Sequence, residues 1–337
     1  MSTARRDLLS QHGENGIGFY HCISRVVDRN FVFGVHEREV FRKVLRQVEA
    51  FSGLRVVTWT ILSNHFHILV EVTPREELDD AGILERCRSL YSKDGMVAVE
   101  WEHGEAVRMG GEVLRRWRAR FLKRMWDLSE FMKTLKQRFT SWFNRKYGRE
   151  GTLWERRFRS VIVEGSWNCL LKVAAYIDLN AVRAGIVDDP KDYRWCGYGE
   201  AVAGDRVARR GLVRAMQREQ SNADWRHVAA GYRRLIFGIG EETSERVGLS
   251  RERVAKVWAE GGKLSLAQLL RCRVRYFSDG VAIGTENFVE GFFHARRGMF
   301  SERRETGARK MRGGGWGELR SMRALGRCPI SVWVGDG

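Results

Sequence analysis

The sequence predicts an α+β protein in which helices cover one face of an antiparallel sheet. Alternating apolar segments, typical of strands, and helical apolar stripes follow one another in the order strand, helix, strand, strand, helix, strand, helix. Two of the strand segments are adjacent, which favours a hairpin over parallel crossovers. This order is compatible with a ferredoxin-like sheet that carries one insertion.

The first half of the predicted sheet lies within the first 74 residues. Residues 19–27 are rich in aromatic and β-branched side chains and predict the first strand. Apolar residues between Val40 and Phe51 fall on one helical stripe, and Gly53 provides a stop. Residues 54–73 then predict two strands with a break near Ser63 and Asn64, and Pro74 ends them.

The remaining elements follow a polar segment, residues 75–130, which we interpret as an insertion with some helix. A helix is predicted around 131–143, closed by Gly148, and a strand near 158–163. The last helix has Ser166 as its N-cap and extends to about Asn180.

The chain divides, on this interpretation, into an α+β domain over 1–198 and a basic accessory region over 199–337. The accessory region is expected to be mainly helical, with a helical unit beginning at 248–258. Its function is not indicated by the sequence.

The composition excludes several classes of protein. The 337 residues contain no run of 18 apolar residues, so no membrane span or membrane partner is expected. The N-terminus lacks the apolar stretch of a secretory signal, and the six cysteines form no CxxC pair. A cytoplasmic protein with reduced thiols is therefore expected, associated with the nucleoid if the source is bacterial.

The net charge of +17 is concentrated in two segments. Residues 107–160 contain 16 basic and five acidic side chains, interleaved with aromatic ones, and residues 293–328 contain ten basic and three acidic. A solvated helix face explains such a run in isolation. Two of them in one basic chain favour a polyanionic partner.

The segment Asn64–Val72 carries two histidines on one face of a strand. Side chains alternate along a strand, so His65 and His67 share a face opposite the apolar row that contains Phe66. Two imidazoles at this spacing are suited to bind one metal ion. The alternative is a pair of polar strand residues bonded to backbone or water, and the spacing alone favours this alternative because such motifs occur often by chance.

A second segment, residues 175–185, places a tyrosine and an asparagine four residues apart on a helix. Tyr176 and Asn180 therefore lie on one face and present a phenol and an amide together. Two imidazoles and an amide oxygen could hold a divalent ion with open positions for phosphate and water.

Together these segments resemble the single-tyrosine HUH transposases, in particular the REP-associated tyrosine transposases. The resemblance rests on the His-Phe-His strand and on Tyr176-Ile-Asp-Leu-Asn-Ala-Val-Arg-Ala-Gly185. Tyr20-His-Cys-Ile-Ser-Arg25, Leu135-Lys-Gln-Arg-Phe-Thr140 and Trp154-Glu-Arg-Arg-Phe-Arg-Ser160 extend it. It covers about 19–74 and 131–198, and it departs from the family at Ala181, where a proline is usual.

The resemblance implies an HUH nuclease fold and a set of site residues. It makes His65, His67 and Asn180 ligands of Mg²⁺ or Mn²⁺, and Tyr176 the nucleophile. The candidate DNA contacts are the basic residues of the motifs and one aromatic neighbour: Arg25, Lys136, Arg138, Trp154, Arg156, Arg157, Arg159 and Arg183.

The implied reaction is cleavage and rejoining of single-stranded, hairpin-containing repeat DNA through a 5′-phosphotyrosine. The covalent intermediate conserves the bond energy, and the sequence has no P-loop signature, so no nucleotide cofactor is expected. A monomer and a homodimer are both allowed. Two alternatives stay open: a non-catalytic DNA-binding or regulatory protein on the same scaffold, and a metal-dependent hydrolytic nuclease.

Overall fold

The computed structural model describes residues 16–216, 225–237, 265–312, 314–323 and 330–331. Up to residue 183 the elements are β1 Gly18–Arg25, α1 Val35–Ser52, β2 Arg55–Ile61, β3 His65–Val72, α2 Asp80–Leu90, α3 Lys93–Met109, α4 Gly111–Leu122, α5 Leu128–Tyr147, β4 Arg159–Val163, α6 Trp167–Asp178 and α7 Asn180–Arg183. They are followed by α8 Gly197–Val202, α9 Arg206–Ala215, α10 Trp225–Phe237, α11 Leu266–Leu270, β5 Arg273–Val274, α12 Arg275–Asp279, β6 Ala282–Gly284, α13 Glu286–His294, β7 Arg309–Lys310, β8 Arg320–Ser321 and β9 Ile330–Ser331.

The main sheet has the strand order β2-β3-β1-β4-β6-β8-β7. Its first four strands alternate with α1 and α5 along the chain as β-α-β-β-α-β and lie in the order β4-β1-β3-β2, which is the ferredoxin-like arrangement. Strands β1 and β4 pair antiparallel, with Phe19 opposite Val163 and Ile23 opposite Arg159. The predicted α+β class and ferredoxin-like sheet are confirmed.

The chain forms two compact units whose boundaries differ from the predicted boundary at residue 198. The first contains 26–55 and 71–155, and the second contains 19–25, 56–70 and the described residues from 156 onward. The division at residue 198 stays a prediction. Strand β6, far along the C-terminal region, pairs in parallel with β4, with Ile162 opposite Ala282. The central strands and the C-terminal region therefore fold as one unit.

The first unit has a helical core built from the predicted apolar stripes. Helix α1 buries Phe41, Leu45 and Val48 and ends at Gly53, whose φ of 75° is the left-handed conformation that stops a helix. Helix α5 begins at Asp127, whose side chain accepts a hydrogen bond from the Glu130 N–H at 2.8 Å. The ring of its Phe139 lies 5.6 Å from that of Phe41.

Residues 75–130, predicted as an insertion with some helix, consist largely of helices α2, α3 and α4. Asp79 and Ser92 cap the first two, accepting hydrogen bonds from the backbone N–H groups of Gly82 and Gly95. Gly110, with a φ of 64°, separates the last two. The insertion is therefore an ordered helical segment.

Helix α6 starts where Ser166 predicts, but it is shorter than expected. Ser166 is the N-cap residue, and its hydroxyl donates to Glu164 Oε2 at 3.1 Å instead of capping the helix. At the other end Leu179 leaves the helical conformation, with a ψ of 2°, and the short helix α7 begins at Asn180. Tyr176 and Asn180 thus lie on successive helices.

The C-terminal region combines the predicted helices with five short strands. Strands β6, β8 and β7 extend the main sheet, whereas β5 and β9 form a separate pair. The helical unit predicted at 248–258 lies outside the described residues. Among the described helices, none is long and apolar enough to cross a membrane.

The close approach of helix α9 to strand β2 depends on Gly211. A Cβ atom at this position would lie 2.4 Å from the Val57 carbonyl oxygen and 2.6 Å from that of Val56. We therefore expect Gly211→Ala to lower the free energy of unfolding by about 1–3 kcal/mol, because the helix must move off the strand. Denaturant unfolding measures the change.

Gly104→Ala is the matched control, since a Cβ on this helical glycine meets no atom within 4 Å. Alanine favours the helix by about 1 kcal/mol over glycine, so this variant should be as stable as the parent or more so. Equal effects of the two substitutions would contradict the packing argument.

Candidate active site

The two histidines lie side by side at the start of strand β3. This strand follows β2 after three residues, and the turn is closed by a hydrogen bond from the Leu62 N–H to the His65 carbonyl at 2.9 Å. Alternation places His65 and His67 on one face, with ring centroids 5.3 Å apart. Both side chains are buried, with 8% and 5% of their surface exposed.

Hydrogen bonds fix which ring nitrogen of His65 carries the proton. His65 Nδ1 lies 2.7 Å from Asn64 Oδ1. Because an amide oxygen only accepts, Nδ1 is the donor, and in the neutral ring Nε2 keeps its lone pair. That lone pair is what a metal ion requires.

The same argument applies to His67 through a third histidine, His21 on strand β1. His21 Nδ1 lies 2.8 Å from the carbonyl oxygen of Phe277, and His21 Nε2 lies 2.9 Å from His67 Nδ1. The carbonyl only accepts, so His21 Nδ1 donates and its Nε2 accepts from His67 Nδ1. His67 Nε2 is thereby left with its lone pair.

Burial keeps all three rings neutral at physiological pH. It lowers the pKa of His21 to about 4 and, together with the Arg25, Arg273 and Arg183 guanidinium groups, the pKa of His65 to about 3. The pKa of His67 is held well below its usual value, first by burial and then by its histidine neighbours. Neutral imidazole is the form that binds metal ions.

Tyr176 lies beside these rings. Its ring centroid is 6.4 Å from that of His67 and 6.3 Å from that of His21, both in edge-on contact. Phe277 packs on it with centroids 4.9 Å apart, and the residue is 3% exposed. The structure therefore brings together the predicted nucleophile and the two predicted imidazole ligands.

Asn180 follows at the start of helix α7 and is 7% exposed. Its Nδ2 donates to the Ile177 carbonyl at 3.0 Å, which turns the amide nitrogen back onto the chain. The amide oxygen lies on the other side of the same group, where it remains an acceptor. Its role as a ligand stays a prediction.

The donor set fits a divalent cation. Two neutral imidazoles with their Nε2 lone pairs, supplemented by an amide oxygen, are ligands that first-row divalent ions accept, with positions left for water and phosphate. Among the described residues, no three His, Cys, Asp or Glu side chains are placed to hold a metal ion. His21 could act as a third imidazole ligand only through its Nε2 lone pair. That lone pair already accepts a hydrogen bond from His67 Nδ1.

Arg183 lies beneath the tyrosine. Its Cζ is 4.0 Å from the Tyr176 ring centroid, and its Nη1 and Nη2 donate to the carbonyls of Leu270 and Tyr176 at 2.7 and 2.6 Å. Burial lowers its pKa from the usual value. The predicted contact with DNA stays a prediction, while the observed contacts hold Tyr176 in place.

The other residues of the second unit that were predicted to contact DNA are more exposed to solvent than Arg183. Arg156, Arg157 and Arg159 are exposed, and Arg159 forms an ion pair with Asp279 at 2.9 Å. Arg25, half-buried at the end of β1, contributes to the positive potential at His65.

In the first unit, Trp154 is part of the core. It is 6% exposed, packs on Phe33 and Phe139, and donates from Nε1 to Thr140 Oγ1 at 2.8 Å. Stacking on a DNA base would require it to leave these contacts, so its placement supports a packing role.

The two basic residues of α5 that were predicted to contact DNA are partly withdrawn from solvent. Lys136 is buried with its Nζ 5.3 Å from the Trp154 ring centroid, and burial lowers its pKa to about 8. Arg138 is half-buried, and desolvation lowers its pKa. DNA contacts by these residues stay predictions.

Two participants, His21 and Phe277, were not predicted from the sequence, although His21 lies within the motif at 20–25. His21 occurs as a single histidine in an apolar strand, a pattern that by itself indicates packing. Phe277 contributes a backbone carbonyl, which any residue has. The adjacency of β1 and β3 in the sheet brings His21 beside His67, and the pairing of β4 with β6 brings Phe277 to the site.

Comparison with known proteins supports the resemblance inferred from the motifs. Residues 18–87 match the family model of IS200-like transposases. This segment includes both strand histidines and His21, and the match supports a transposase-like role in DNA processing. The search of curated proteins found no match.

A solved structure of a REP-associated tyrosine transposase bound to a REP hairpin also aligns with the chain. The alignment has 15% sequence identity and a TM-score of 0.33, and it covers 56% of this chain and 80% of that one.

Proposed function

We propose that this chain, whose residues 18–87 carry the IS200-like transposase match, cleaves and rejoins single-stranded DNA through a covalent bond to Tyr176. The observation that carries the proposal is the contact between the rings of Tyr176 and His67. His67 donates a hydrogen bond from Nδ1, so its Nε2 carries no proton and has a lone pair for a metal ion. A phenol beside two imidazoles that can bind a metal ion is suited to metal-assisted phosphoryl transfer to tyrosine.

The metal would be held by His65 and His67 through Nε2 and by Asn180 through its amide oxygen. When bound, a Mg²⁺ or Mn²⁺ ion supplies positive charge to the oxygens of the scissile phosphate. The neutral histidines need no deprotonation to bind it.

The chain's own residues carry the transfer. Tyr176 Oη gives up its proton and bonds to phosphorus, and the bond from phosphorus to the 3′ oxygen breaks. The 3′ oxygen takes up a proton and leaves as a hydroxyl, and the 5′ phosphate stays on the tyrosine. Attack by another 3′ hydroxyl reverses these steps and joins two strands.

The side chains around Tyr176 hold its phenol ring in position. Arg183 stacks on one side of the ring and Phe277 contacts another, while Arg183 also holds the Tyr176 carbonyl. A fixed ring loses little freedom when the phosphate arrives, which lowers the entropic part of the barrier. The exposed Arg156 and Arg157 are suited to contact the strand backbone.

The class of DNA substrate is inferred from the access that a phosphate needs to Tyr176 and from the motif resemblance. A phosphate must reach a buried phenol, which a flexible single strand does more easily than a duplex. We therefore propose single-stranded DNA next to a hairpin as the substrate.

Incubation with DNA hairpins that carry randomised single-stranded flanks, in Mn²⁺, tests the proposal. With a 3′ label, the label should become covalently attached to the protein. With a 5′ label, it should leave on a fragment that ends in a 3′ hydroxyl. Mass spectrometry should place the adduct on the peptide that contains Tyr176.

Other outcomes support the alternatives. Cleavage of both labelled substrates without an adduct indicates a hydrolytic nuclease in which Tyr176 is structural. Binding of the hairpins by the protein without cleavage indicates a non-catalytic DNA-binding protein. Either result rejects the proposed strand transfer.

A further inference from the structure

The C-terminal region, which lies outside the family match, reaches the catalytic centre through two backbone carbonyls. The carbonyl of Phe277 accepts from His21, and the carbonyl of Leu270 accepts from Arg183. Both residues are fully buried. The first contact leads to His67 and the second to Tyr176, so the region touches both halves of the proposed site.

The first contact forms a directed series of hydrogen bonds. The backbone carbonyl of Phe277 can only accept, which makes His21 Nδ1 a donor and His21 Nε2 an acceptor. His67 Nδ1 must then donate, at 2.9 Å, and its Nε2 carries no hydrogen. One peptide group in helix α12 therefore determines the tautomer of a histidine on strand β3.

The series also fixes the orientation of the His67 ring. His21 and His67 stack with centroids 5.0 Å apart and an interplanar angle of 28°. His21 is itself held in the sheet, where it lies opposite Val161, and is fully buried. Rotation of His67 would break its bond to His21 and leave a buried ring nitrogen without a partner, which is unfavourable.

We propose that His21 is a positioning residue for the metal site and that the segment containing Phe277 is an integral part of the catalytic centre. The proposal rests on the proposed function in one respect, the assignment of His67 as a metal ligand. His21 need not touch the metal or the DNA. It holds His67 in the one tautomer and orientation that leaves Nε2 available.

A second set of contacts ties the same segment to the nucleophile. The Phe277 ring packs edge-on against Tyr176, 4.9 Å between centroids. Glu164, in the connection between β4 and α6, accepts hydrogen bonds from the N–H and hydroxyl of Thr285 at 2.7 and 2.8 Å. The C-terminal region is therefore anchored at Tyr176 and at the connection that precedes its helix.

Two substitutions of His21 separate hydrogen bonding from packing. His21→Gln keeps an acceptor and a donor on one amide, at nearly the spacing of the two ring nitrogens, so it can still join His67 Nδ1 to the Phe277 carbonyl. His21→Phe keeps a ring of similar size and removes both hydrogen bonds. His36→Phe, at an exposed histidine of helix α1, is the control for the substitution itself.

The first measurement is Mn²⁺ binding to the metal-free full-length proteins by titration calorimetry. Loss of a hydrogen bond to a ligating histidine typically weakens metal binding by about 10–100-fold, and we expect a loss of this size in His21→Phe. His21→Gln and His36→Phe should stay within about threefold of the parent. Parent-like affinity in a folded His21→Phe protein would overturn the proposal.

The second measurement is the ¹⁵N spectrum of the histidine rings without metal, which reports the tautomer directly. We expect His67 in the Nδ1–H form in the parent and in His21→Gln, and a mixture of tautomers in His21→Phe. An Nε2–H ring of His67 in the parent would overturn the proposal whatever the metal result.

These readouts distinguish the two proposals. If the parent protein does not bind Mn²⁺, or if His67→Ala binds it as the parent does, the proposed metal site fails. The tautomer experiment still decides whether His21 and the Phe277 carbonyl control His67.

Discussion

Replacing Tyr176 by phenylalanine is expected to abolish covalent attachment to DNA while leaving the fold and the DNA affinity in place. The substitution removes one oxygen and keeps the ring that Phe277 and Arg183 contact. Without the nucleophile no phosphotyrosine can form, and removal of a catalytic nucleophile costs a factor on the order of 10³ or more in rate. The labelled-hairpin reaction and a filter-binding assay measure the two properties.

Tyr193→Phe is the matched control for this substitution. Tyr193 lies in the same unit, is buried, and donates from its hydroxyl to the Ile61 carbonyl at 2.6 Å. Its replacement should cost about 1 kcal/mol of stability and leave adduct formation unchanged. An adduct that persists in Tyr176→Phe would assign the nucleophile to another residue and contradict the proposed function.

The elements of the central fold were predictable because each has a strong local pattern. Strand β3 forms where the alternation in 65–72 predicts it, although all eight of its residues are buried, and helix α1 buries the predicted apolar stripe. The joining of the C-terminal region to the central sheet was not predictable. It depends on the pairing of β4 with β6, whose three residues, Ala282–Gly284, have no distinctive pattern.

The candidate site was predictable only where its chemistry is carried by side chains close together in sequence. His65 and His67 share a strand face, and Tyr176 and Asn180 are four residues apart. His21 was missed because its partner His67 is 46 residues away along the chain. The backbone carbonyls of Leu270 and Phe277 have no sequence signature at all.

The surroundings of individual side chains in the folded protein could not be predicted from the sequence either. Arg183 and Trp154 belong to motifs rich in basic and aromatic residues, which suggested contact with DNA. Both are buried, and their polar atoms donate to groups within their own unit. Charge and aromaticity predict affinity for DNA, whereas the neighbours that cover a side chain depend on tertiary packing.

The helix of the proposed nucleophile is also held by a buried carboxylate, Asp178. Its Oδ1 accepts from the Thr58 hydroxyl at 2.7 Å and from the Tyr198 N–H at 3.1 Å. Its Oδ2 accepts from the Tyr232 hydroxyl at 2.5 Å. Burial raises the pKa of Asp178 to about 7, although these hydrogen bonds oppose the rise.

Stability is therefore expected to fall as the pH rises from about 4 to about 7. In this range folded Asp178 keeps a proton that the unfolded chain has released, so raising the pH favours unfolding. A difference of about three pKa units corresponds to roughly 4 kcal/mol at most. Unfolding in urea, with EDTA present and at several pH values, measures this slope.

Asp178→Asn should remove that slope, and it should not weaken the fold at low pH. The asparagine amide resembles the protonated acid: its oxygen can accept from Thr58 and Tyr198, and its NH₂ can donate to the Tyr232 oxygen. The variant should match the parent within about 1 kcal/mol near pH 4.5 and exceed it by a few kcal/mol at pH 8. Asp188→Asn, at an exposed aspartate of the same unit, should keep the parent slope. Equal pH dependence in the parent and in Asp178→Asn would show that the buried acid is ionised in the folded state throughout this range.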